Sequence, residues 1–512
     1  MKTTTINKSR LQFNMKNLGK VLIFGAFTLG TISCSREDLM LEPENNITQT
    51  SFYTTELQIQ QALSGVYSAM INASSRGGYD VNFYLLASEV RSNNYTALSQ
   101  NGNRDYYAIN RFQDNSTTEE MEVLWEDAYQ MVTYANNILV RIDNVPFASE
   151  ATKEQYRSET RFLRAYAYFE LMRSFGKVPL IEKPVSPTEA AAIPRTDLAT
   201  LYNFVTSELE ASVAGLKNIH DAANKGRITK SAAHAMLGRI YLTGSGYPLN
   251  NGSYVAKAKD HLFAVIQGEG QSVTWSPNYA DLFKSTNDNK YHIFEIQHIS
   301  GGLSQGSYLP SYVSPNFGTT DPLYNPQSSL YSSGELGVSQ SLVNAYEPGD
   351  LRKAVTVKTQ FIAQNGLVDN ANYFIKFREP GKVITNRYDW PINFPIIRYE
   401  DVLLMYAEVL NTQGSTSTAV PYLNRIRQRA GLAAISTSIS AADFTTALRK
   451  ERRVEFAGEG IYWHDLVRWN TGVAVINQAA AALNYNFTIT TNDYLYQVPL
   501  SQIQIAGYDQ NP

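Results

Sequence analysis

A densely charged segment, residues 448–470 (LRKERRVEFAGEGIYWHDLVRWN), constrains the fold of this chain more than any other feature. It mixes apolar helix residues with more charge than a protein core normally accepts, so its acids and bases need partners. Glu451 and Glu455 lie one helical turn apart, where opposite charges pair at i,i+3 and i,i+4. Gly458 and Gly460 follow, and glycine tolerates the left-handed backbone found at helix ends. The pattern predicts a charged scaffold helix with a glycine stop, and it does not indicate a catalytic segment.

The part of this segment that follows the glycines predicts a second, shorter helix. Trp463, Leu466 and Trp469 recur at helical spacing and form an apolar stripe. Asp465 and Arg468 are three residues apart, so we expect them to form an ion pair on this helix.

The N-terminus has the pattern of a secretory signal that ends at a cysteine. Residues 16–34 (KNLGKVLIFGAFTLGTISC) place two lysines before a short apolar run, then a small serine and Cys34. The apolar run is too short to span a membrane, which takes about 20 apolar residues. We expect residues 1–33 to be a lipoprotein signal peptide and Cys34 to be lipidated; the alternative is a buried structural cysteine. Translation begins at Met1 or at Met15, from which the signal is better formed.

The composition excludes several classes of site and partner. Cys34 is the only cysteine, so neither a disulfide framework nor a multi-cysteine zinc site is possible within one chain. The formal charge is −3, and removal of residues 1–33 takes away five basic and no acidic residues, which leaves −8. Such an acidic chain does not suit a nucleic-acid partner. We expect residues 34–50 to be a lipid-anchored tether.

Helical periodicity recurs along much of the remaining chain. Apolar residues repeat at helical spacing, with small residues such as Ala232 and Gly238 that permit close helix contact. The succession at about 30–40 residue intervals fits tetratricopeptide-like helix pairs. The segments are 56–71, 119–142, 161–177, 197–216, 229–242, 254–266, 397–410 and 420–430.

Two regions lack this period. Residues 72–115 are punctuated by Gly and Asn, which predicts loops, and between about 270 and 395 only 291–299 (YHIFEIQHI) alternates like a strand. A loop-rich stretch of this length within a compact domain is uncommon unless it is functional or disordered. We therefore predict a predominantly α fold, a tetratricopeptide-like helical repeat scaffold over about 51–270 and 396–470. A loop-rich, ligand-binding insertion with short strands would occupy about 271–395, and 51–512 would form a single domain.

Several segments resemble the RagB/SusD family of outer-membrane nutrient-binding lipoproteins. The resemblance is carried by E-R-R-x-E-F-x-x-E-G followed by W-x-D-L-x-R-W within 448–470, and by R-F-L-R-A-Y-x-Y-F before G-x-V-P-L within 161–180. Further matches lie at 397–410, at 420–430 and in the closing segment 493–512. The five matches stand in order along residues 161–512.

This resemblance implies a function as well as a fold. It implies a cell-surface lipoprotein, anchored in the outer membrane through Cys34, that binds an oligosaccharide or polysaccharide and passes it to a SusC-like TonB-dependent transporter. It also implies a surface platform built from the loop after the first helices and from the central insertion. No cofactor and no bound metal ion are implied.

No catalytic arrangement stands out in the sequence. The six histidines include no H-E-x-x-H pair, and neither G-x-S-x-G nor a P-loop is present. His292 and His298 fall on one face of the predicted strand but far apart. Residues 285–289 (STNDN) suit a calcium loop or an ordinary turn. We therefore expect a binding protein and not an enzyme.

Sugars present apolar C–H faces bordered by hydroxyl groups, and aromatic rings with neighbouring amides match both features. Mapping the family's platform by position gives candidate ligand-binding residues on the two loop-rich regions, with two tryptophans as reserves. They are Tyr84, Asn93, Tyr95, Tyr308, Tyr312, Phe317 and Tyr324, with Trp275 and Trp390 as the reserves.

Two other functions stay open at this point. One is a secreted glycan hydrolase that shares the helical scaffold, because paired carboxylates in a cleft leave no mark in a linear sequence. The other is a peptide-binding or adaptor member of the same family. The bound glycan and the transporter partner are not identified by the sequence.

Overall fold

Helices form the framework of the structure, a computed structural model that describes residues 52–72, 78–97, 104–313 and 336–511, except positions 288, 364, 383, 385 and 387. In chain order the α-helices are α1 Glu56–Asn72, α2 Arg104–Asn110, α3 Glu119–Leu139, α4 Glu150–Phe175, α5 Pro187–Ala191, α6 Leu198–Val213, α7 Lys230–Ser245, α8 Tyr254–Ile266, α9 Leu309–Tyr312, α10 Gln340–Ala345, α11 Arg352–Thr356, α12 Tyr399–Thr412, α13 Thr416–Arg429, α14 Ala441–Glu455, α15 Tyr462–Arg468, α16 Gly472–Ala482 and α17 Leu500–Ala506. Phe52–Pro512 make up one compact unit.

The long helices pack on one another in succession. Helix α3 packs on α4, α4 on α6, α6 on α7, and α7 on α8. Helix α8 then packs on α12, and α12 on α13 and α14, although the loop-rich insertion separates α8 from α12 in the chain. This succession of packed helix pairs is a tetratricopeptide-like scaffold, so the predicted fold class is confirmed.

Small residues on α7 allow the close helix contact that the sequence predicts. A Cβ atom built on Gly238 would lie 2.5 Å from Leu262 Cδ2 on α8, so Leu262 would have to move to make room for it. Ala232, Ala233 and Ala235 on the same helix are fully buried. The interface between α7 and α8 therefore depends on the absence of larger side chains.

The prediction of loops over residues 72–115 is wrong for two segments. Asp80–Val90 form a π-helix, and α2 follows at 104–110. All 11 residues of the π-helix are buried. A helix that is buried on every face shows no amphipathic period, which is why the sequence pattern did not reveal it.

The strands are short and, in the described part of the chain, pair in antiparallel twos. The pairs are β1 Tyr95–Ala97 with β5 Leu336–Val338, β2 Val178–Pro179 with β3 Arg195–Thr196, β4 His292–Ile296 with β10 Phe394–Arg398, β6 Val357–Lys358 with β9 Tyr373–Phe374, and β7 Phe361–Ile362 with β8 Val368–Asp369. Strand β4 confirms the strand predicted within 291–299, although its last three residues are all buried. Its pairing with β10 joins the start of the insertion to its end.

The charged segment forms a buried ionic centre. Glu455, at the end of α14, is fully buried, and its carboxylate accepts from Arg352 Nη1 at 2.9 Å, Arg398 Nη1 at 3.1 Å and Arg429 Nη2 at 2.5 Å. These partners lie 26 to 103 residues away, so the local pairing expected for Glu455 is wrong. A buried charge must be paired with an opposite charge, and here the fold supplies the partners from residues that are distant in sequence.

The second helix of this segment behaves as predicted. Arg468 Nε donates to Asp465 Oδ1 at 2.8 Å within α15. Gly458 and Gly460 have φ of +84° and +69°, the left-handed conformation expected at the helix stop. A Cβ atom on Gly460 would also lie 2.6 Å from the backbone of Tyr84, so the turn packs directly on the π-helix.

The C-terminal part of the chain returns to the N-terminal helices. Tyr496 N donates to Ser174 O at 2.8 Å, and Asn511 Nδ2 donates to Phe175 O at 2.9 Å, so both satisfy carbonyls at the end of α4. Tyr496 Oη donates to Ala87 O in the π-helix at 3.2 Å. Residues 496–511 therefore complete the helical core.

None of the helices described above has the length and hydropathy needed to cross a bilayer. Cys34, the predicted signal peptide and the tether lie outside the described residues.

Candidate ligand-binding surface

An aromatic patch forms where the insertion meets helix α2. The rings of Tyr308 and Tyr388 stack with centroids 4.2 Å apart and an interplanar angle of 27°. Tyr312 lies on α9 one turn after Tyr308, and its ring is 6.0 Å from that of Tyr106 on α2. Trp390 is buried next to this group. We call Tyr106, Tyr308, Tyr312, Tyr388 and Trp390 the aromatic patch.

Hydrogen bonds hold the patch on the scaffold. The backbones of Ser307 and Trp390 bond to each other, with Ser307 N donating to Trp390 O at 2.8 Å. Trp390 Nε1 donates to Ser311 Oγ on α9 at 3.0 Å. Ser307 Oγ donates to Asp80 Oδ2, at the start of the π-helix, at 2.7 Å. The rings are therefore carried by a segment that is fixed at both of its ends.

The patch has partly open rings. Tyr308, Tyr312 and Tyr388 are half-buried, whereas Trp390 and Tyr106 are 3% and 5% exposed. Half-buried tyrosine rings combine an apolar face with a hydroxyl group, which suits them to the C–H faces and hydroxyls of a sugar.

A cleft lies at the C-terminal end of α2, between strand β1, helix α10 and helix α16. Its volume is about 430 Å³. Aromatic and aliphatic side chains form its walls, and amides and hydroxyls lie at its rim. The residues that line it are Arg91, Ser92, Asn93, Tyr95, Thr96, Asn110, Phe112, Ser339, Gln340, Ser341, Asn344, Ile476, Gln478, Ala479, Ala480, Ala482, Leu483, Tyr485 and Phe487. We call it the α16 cleft.

Arg453 of the charged segment fixes the loop that lines this cleft. Its Nε donates to Asn94 Oδ1 at 2.9 Å, and its Nη2 donates to Asn93 O at 3.3 Å and to Ser341 Oγ at 3.1 Å. Glu89 acts from the opposite side, since its carboxylate accepts from Asn94 Nδ2 at 3.1 Å. The scaffold thereby sets the position of the loop that precedes β1.

Glu89 also joins this loop to the glycine turn. Its Oε1 accepts from the backbone N–H groups of Gly458 and Gly460, both at 3.0 Å. Burial raises the pKa of Glu89 to about 7, against the opposing effect of these hydrogen bonds and of Lys376. The carboxyl group therefore changes its charge near neutral pH.

The predicted ligand-binding residues that the structure describes are distributed over the aromatic patch, the α16 cleft and the scaffold. Tyr308, Tyr312 and Trp390 come together in the aromatic patch. Asn93 and Tyr95 line the α16 cleft.

Two predicted residues belong to the scaffold. Tyr84 is 1% exposed within the π-helix, its hydroxyl lies 2.7 Å from that of Tyr166, and its ring packs on Phe394. This placement corrects the expectation of a loop residue, because a ring in the core offers no face to a ligand. Trp275 is half-buried under two guanidinium groups, with Arg425 Cζ 4.3 Å and Arg429 Cζ 4.6 Å from its ring. Phe317 and Tyr324 lie outside the described residues.

Sequence reasoning missed Tyr106 and Tyr388 in the patch and the whole α16 wall of the cleft. Tyr388 lies two residues before Trp390, a proximity that could have suggested it. Helix α16 is rich in alanine, and nothing in its composition indicates a binding wall.

The described residues offer no metal-ligand cluster of three or more His, Cys, Asp or Glu side chains. His292 is engaged by Glu295, and His298 Nδ1 lies 3.3 Å from Gln305 O. Ser285–Asn287, from the loop that suited calcium, form a 3₁₀ turn.

The chain is similar to known protein families and to individual relatives. The sequence model of the SusD family matches residues 370–511, and a second one, described as starch-binding and associating with the outer membrane, matches residues 40–242. SusD-like protein P25 of Formosa agariphila is 26% identical over 94% of this chain and 95% of its own length. The starch-binding protein SusD of Bacteroides thetaiotaomicron is 22% identical over 71% of this chain and 73% of its own.

Solved structures share the same fold. A laminarin-binding SusD-like protein superimposes with a TM-score of 0.75 at 25% identity, over 90% of this chain and 100% of that protein. Surface glycan-binding protein A from Bacteroides thetaiotaomicron, solved in complex with laminarihexaose, gives a TM-score of 0.76 at 21% identity, again over 90% and 100%.

Proposed function

Because this chain belongs to the SusD family of carbohydrate-binding proteins, we propose that it is a cell-surface glycan-binding lipoprotein that captures an oligosaccharide at the aromatic patch. It delivers that oligosaccharide to a SusC-like TonB-dependent outer-membrane transporter. The protein performs no chemical step in this proposal. The stacked pair Tyr308–Tyr388 is the observation that carries it.

The patch has the properties that sugar capture requires. Its tyrosine rings are half-buried and keep one another in place, so little conformational entropy is lost when a ligand settles on them. The buried indole of Trp390 supports them from below, with its N–H already bonded to Ser311. Aromatic rings cover the C–H face of a sugar, and the phenol groups of the same residues remain near its hydroxyls.

The N-terminal sequence and the family support the proposed location. The family that matches residues 40–242 is described as associating with the outer membrane. A lipidated Cys34 would anchor the chain through acyl groups, each buried CH₂ contributing about 0.8 kcal/mol. One of the relatives is a starch-binding protein and one of the similar structures is a laminarin-binding protein, which makes neutral glucans the first ligands to test.

The binding experiment uses the chain from Ser35 onward. Calorimetry with laminarihexaose and maltohexaose, followed by a panel of bacterial, algal and plant polysaccharides, identifies the ligand. We expect Tyr308→Ala and Tyr388→Ala to weaken binding at least tenfold. Trp275→Ala, an aromatic deletion in the scaffold, serves as the matched control and should leave affinity unchanged. Equal affinity of all three variants and the parent protein would refute the assignment of the site.

The same samples separate capture from hydrolysis. Incubation with the bound polysaccharide should release no new reducing ends, and their release would instead support the hydrolase alternative. Delivery to a transporter is tested by purification of the lipidated full chain from membranes. A TonB-dependent barrel should co-purify, and Cys34→Ala should lose both the membrane fraction and the barrel.

A further inference from the structure

The α16 cleft carries buried polar atoms that have no partner within the described part of the chain. Tyr95 is 3% exposed, and its hydroxyl group makes no hydrogen bond to any described residue. Asn93 Oδ1 and Arg91 Nε are likewise buried without a partner, and all three side chains line the cleft. Burial of an unsatisfied polar atom is costly and uncommon, so three in one cleft indicate that something else satisfies them.

The charged side chain in the cleft is already paired within the protein, so the cleft does not require an ionic ligand. Arg91 Nη1 already pairs with Asp114 Oδ1 at 2.6 Å, and its Nη2 donates to Asp493 O at 2.9 Å. No Asp or Glu is present among the described residues that line the cleft. Burial also keeps Tyr95 neutral, since it raises the pKa of its hydroxyl well above the ordinary value. The free groups are therefore a phenol, an amide oxygen and one N–H.

The remaining surfaces match a sugar in shape and polarity. Helix α16 presents Ala479, Ala480 and Ala482, whose small side chains leave room, and Phe112 and Phe487 form a facing aromatic wall with ring centroids 5.8 Å apart. Amides and hydroxyls of Gln340, Asn344, Gln478 and Ser341 stand around the opening. Apolar walls with converging neutral polar groups, enclosing about 430 Å³, are typical of a small-molecule site.

We propose that the α16 cleft is a second carbohydrate site, which takes one or two neutral sugar rings and uses Tyr95, Asn93 and Arg91 as its hydrogen-bonding floor. It is distinct from the aromatic patch. The two share no lining residue: Tyr106 contacts Tyr312 in the patch, and Asn110, one turn later on α2, lines the cleft. The cleft recognises rings by enclosure, whereas the patch offers an open stack.

Two variants that should keep the protein folded test the cleft. Tyr95→Phe removes a hydroxyl that has no partner among the described residues, so stability should not fall, while affinity for a sugar in the cleft should fall roughly threefold to tenfold. Ala479→Trp fills the cleft from α16 and should abolish binding there. Ala474→Trp places the same side chain on an exposed position of the same helix and is its control, and Tyr373→Phe is the control for the hydroxyl.

The probes are glucose, galactose, mannose and xylose at millimolar concentration, detected by saturation-transfer NMR on the chain from Ser35 onward. The measurement is made in the Tyr308→Ala background, so that the aromatic patch does not contribute. We expect at least one of these sugars to bind, Tyr95→Phe to weaken its binding and Ala479→Trp to eliminate it. Binding that is unchanged in both cleft variants, or no binding of any of the four sugars, would overturn the proposal.

The outcome is separable from that of the proposed function. If Tyr308→Ala abolishes oligosaccharide capture while the cleft variants behave as wild type with every sugar, the patch stands and the cleft proposal fails. If the cleft variants alone lose binding, the cleft stands and the assignment of the patch fails.

Discussion

Around Glu455 and around Tyr95, polar side chains are equally buried, but their hydrogen bonding differs. The Glu455 carboxylate is shared by three guanidinium groups. The Tyr95 hydroxyl, 3% exposed, has no partner among the residues that the structure describes. The carboxylate at the centre of the scaffold is therefore fully paired, whereas the α16 cleft, a second carbohydrate site in our proposal, keeps a buried hydroxyl unpaired. Four predictions test this difference, from the largest expected effect to the smallest.

The largest effect is expected from Glu455→Gln. The change leaves three buried arginines with less negative charge, which should reduce the free energy of unfolding by about 3–5 kcal/mol. Burial alone would raise the pKa of Glu455, but Arg429, Arg398 and Arg352 lower it below its ordinary value, so the lost charge is present at all ordinary pH values. Urea denaturation followed by tryptophan fluorescence measures the change. Lys284→Ala, which removes an exposed ion pair with Asp281, should cost at most about 1 kcal/mol.

The second prediction concerns Glu89, which joins the scaffold to the cleft loop. Its pKa is raised from 4.5 to about 7 by burial, so the folded protein holds this proton more tightly than the unfolded chain does. The unfolded state loses the proton first, and stability due to this group falls as the pH rises from about 4.5 to about 7. Wild type should therefore lose roughly 3 kcal/mol relative to Glu89→Gln over that interval. Parallel stability curves for the two proteins would contradict the prediction.

The third prediction compares a satisfied with an unsatisfied tyrosine. Tyr67 Oη donates to Glu159 Oε2 at 2.7 Å and accepts from Ile228 N at 3.0 Å. Tyr67→Phe leaves that donor and acceptor unpaired and should cost about 1–3 kcal/mol. Tyr95→Phe should cost roughly nothing, because no bond is lost. Thermal and urea unfolding of both variants measures the contrast, and equal losses would remove the distinction between the two regions.

The smallest effect is expected within the aromatic patch. The stack of Tyr308 on Tyr388 should contribute a coupling energy of about 0.5–1.5 kcal/mol in the absence of ligand. A double-mutant cycle with Tyr308→Ala and Tyr388→Ala measures it directly in unfolding experiments. Additive losses would mean that the rings do not hold each other in place.

Local patterns predicted the scaffold because its helices are amphipathic or carry family motifs. The segment 254–266 coincides with α8, and the family resemblance based on residues 161–180 and 448–470 is confirmed by the family matches. The π-helix at 80–90 could not be found by periodicity because every face of it is buried.

The candidate ligand-binding surface was predicted only in part. Tyr308 and Tyr312 were predicted because the family resemblance places its ligand platform in this loop-rich region. Tyr388 stacks on Tyr308 from 80 residues away in the chain, and no local signal reports such a contact. The α16 wall was missed because alanines, which provide the room in the cleft, give the sequence no binding signature.

The packing of the C-terminal segment on the early helices also affects the order in which the protein folds. Three groups of hydrogen bonds join the two ends of the chain over separations of 336 to 409 residues. They link Glu89 with Gly458 and Gly460, Ala87 with Tyr496, and Phe175 with Asn511. Contacts so distant in sequence close late, because the intervening chain must first be organised. During synthesis, the first helices therefore cannot complete their core until residues 458–511 have emerged.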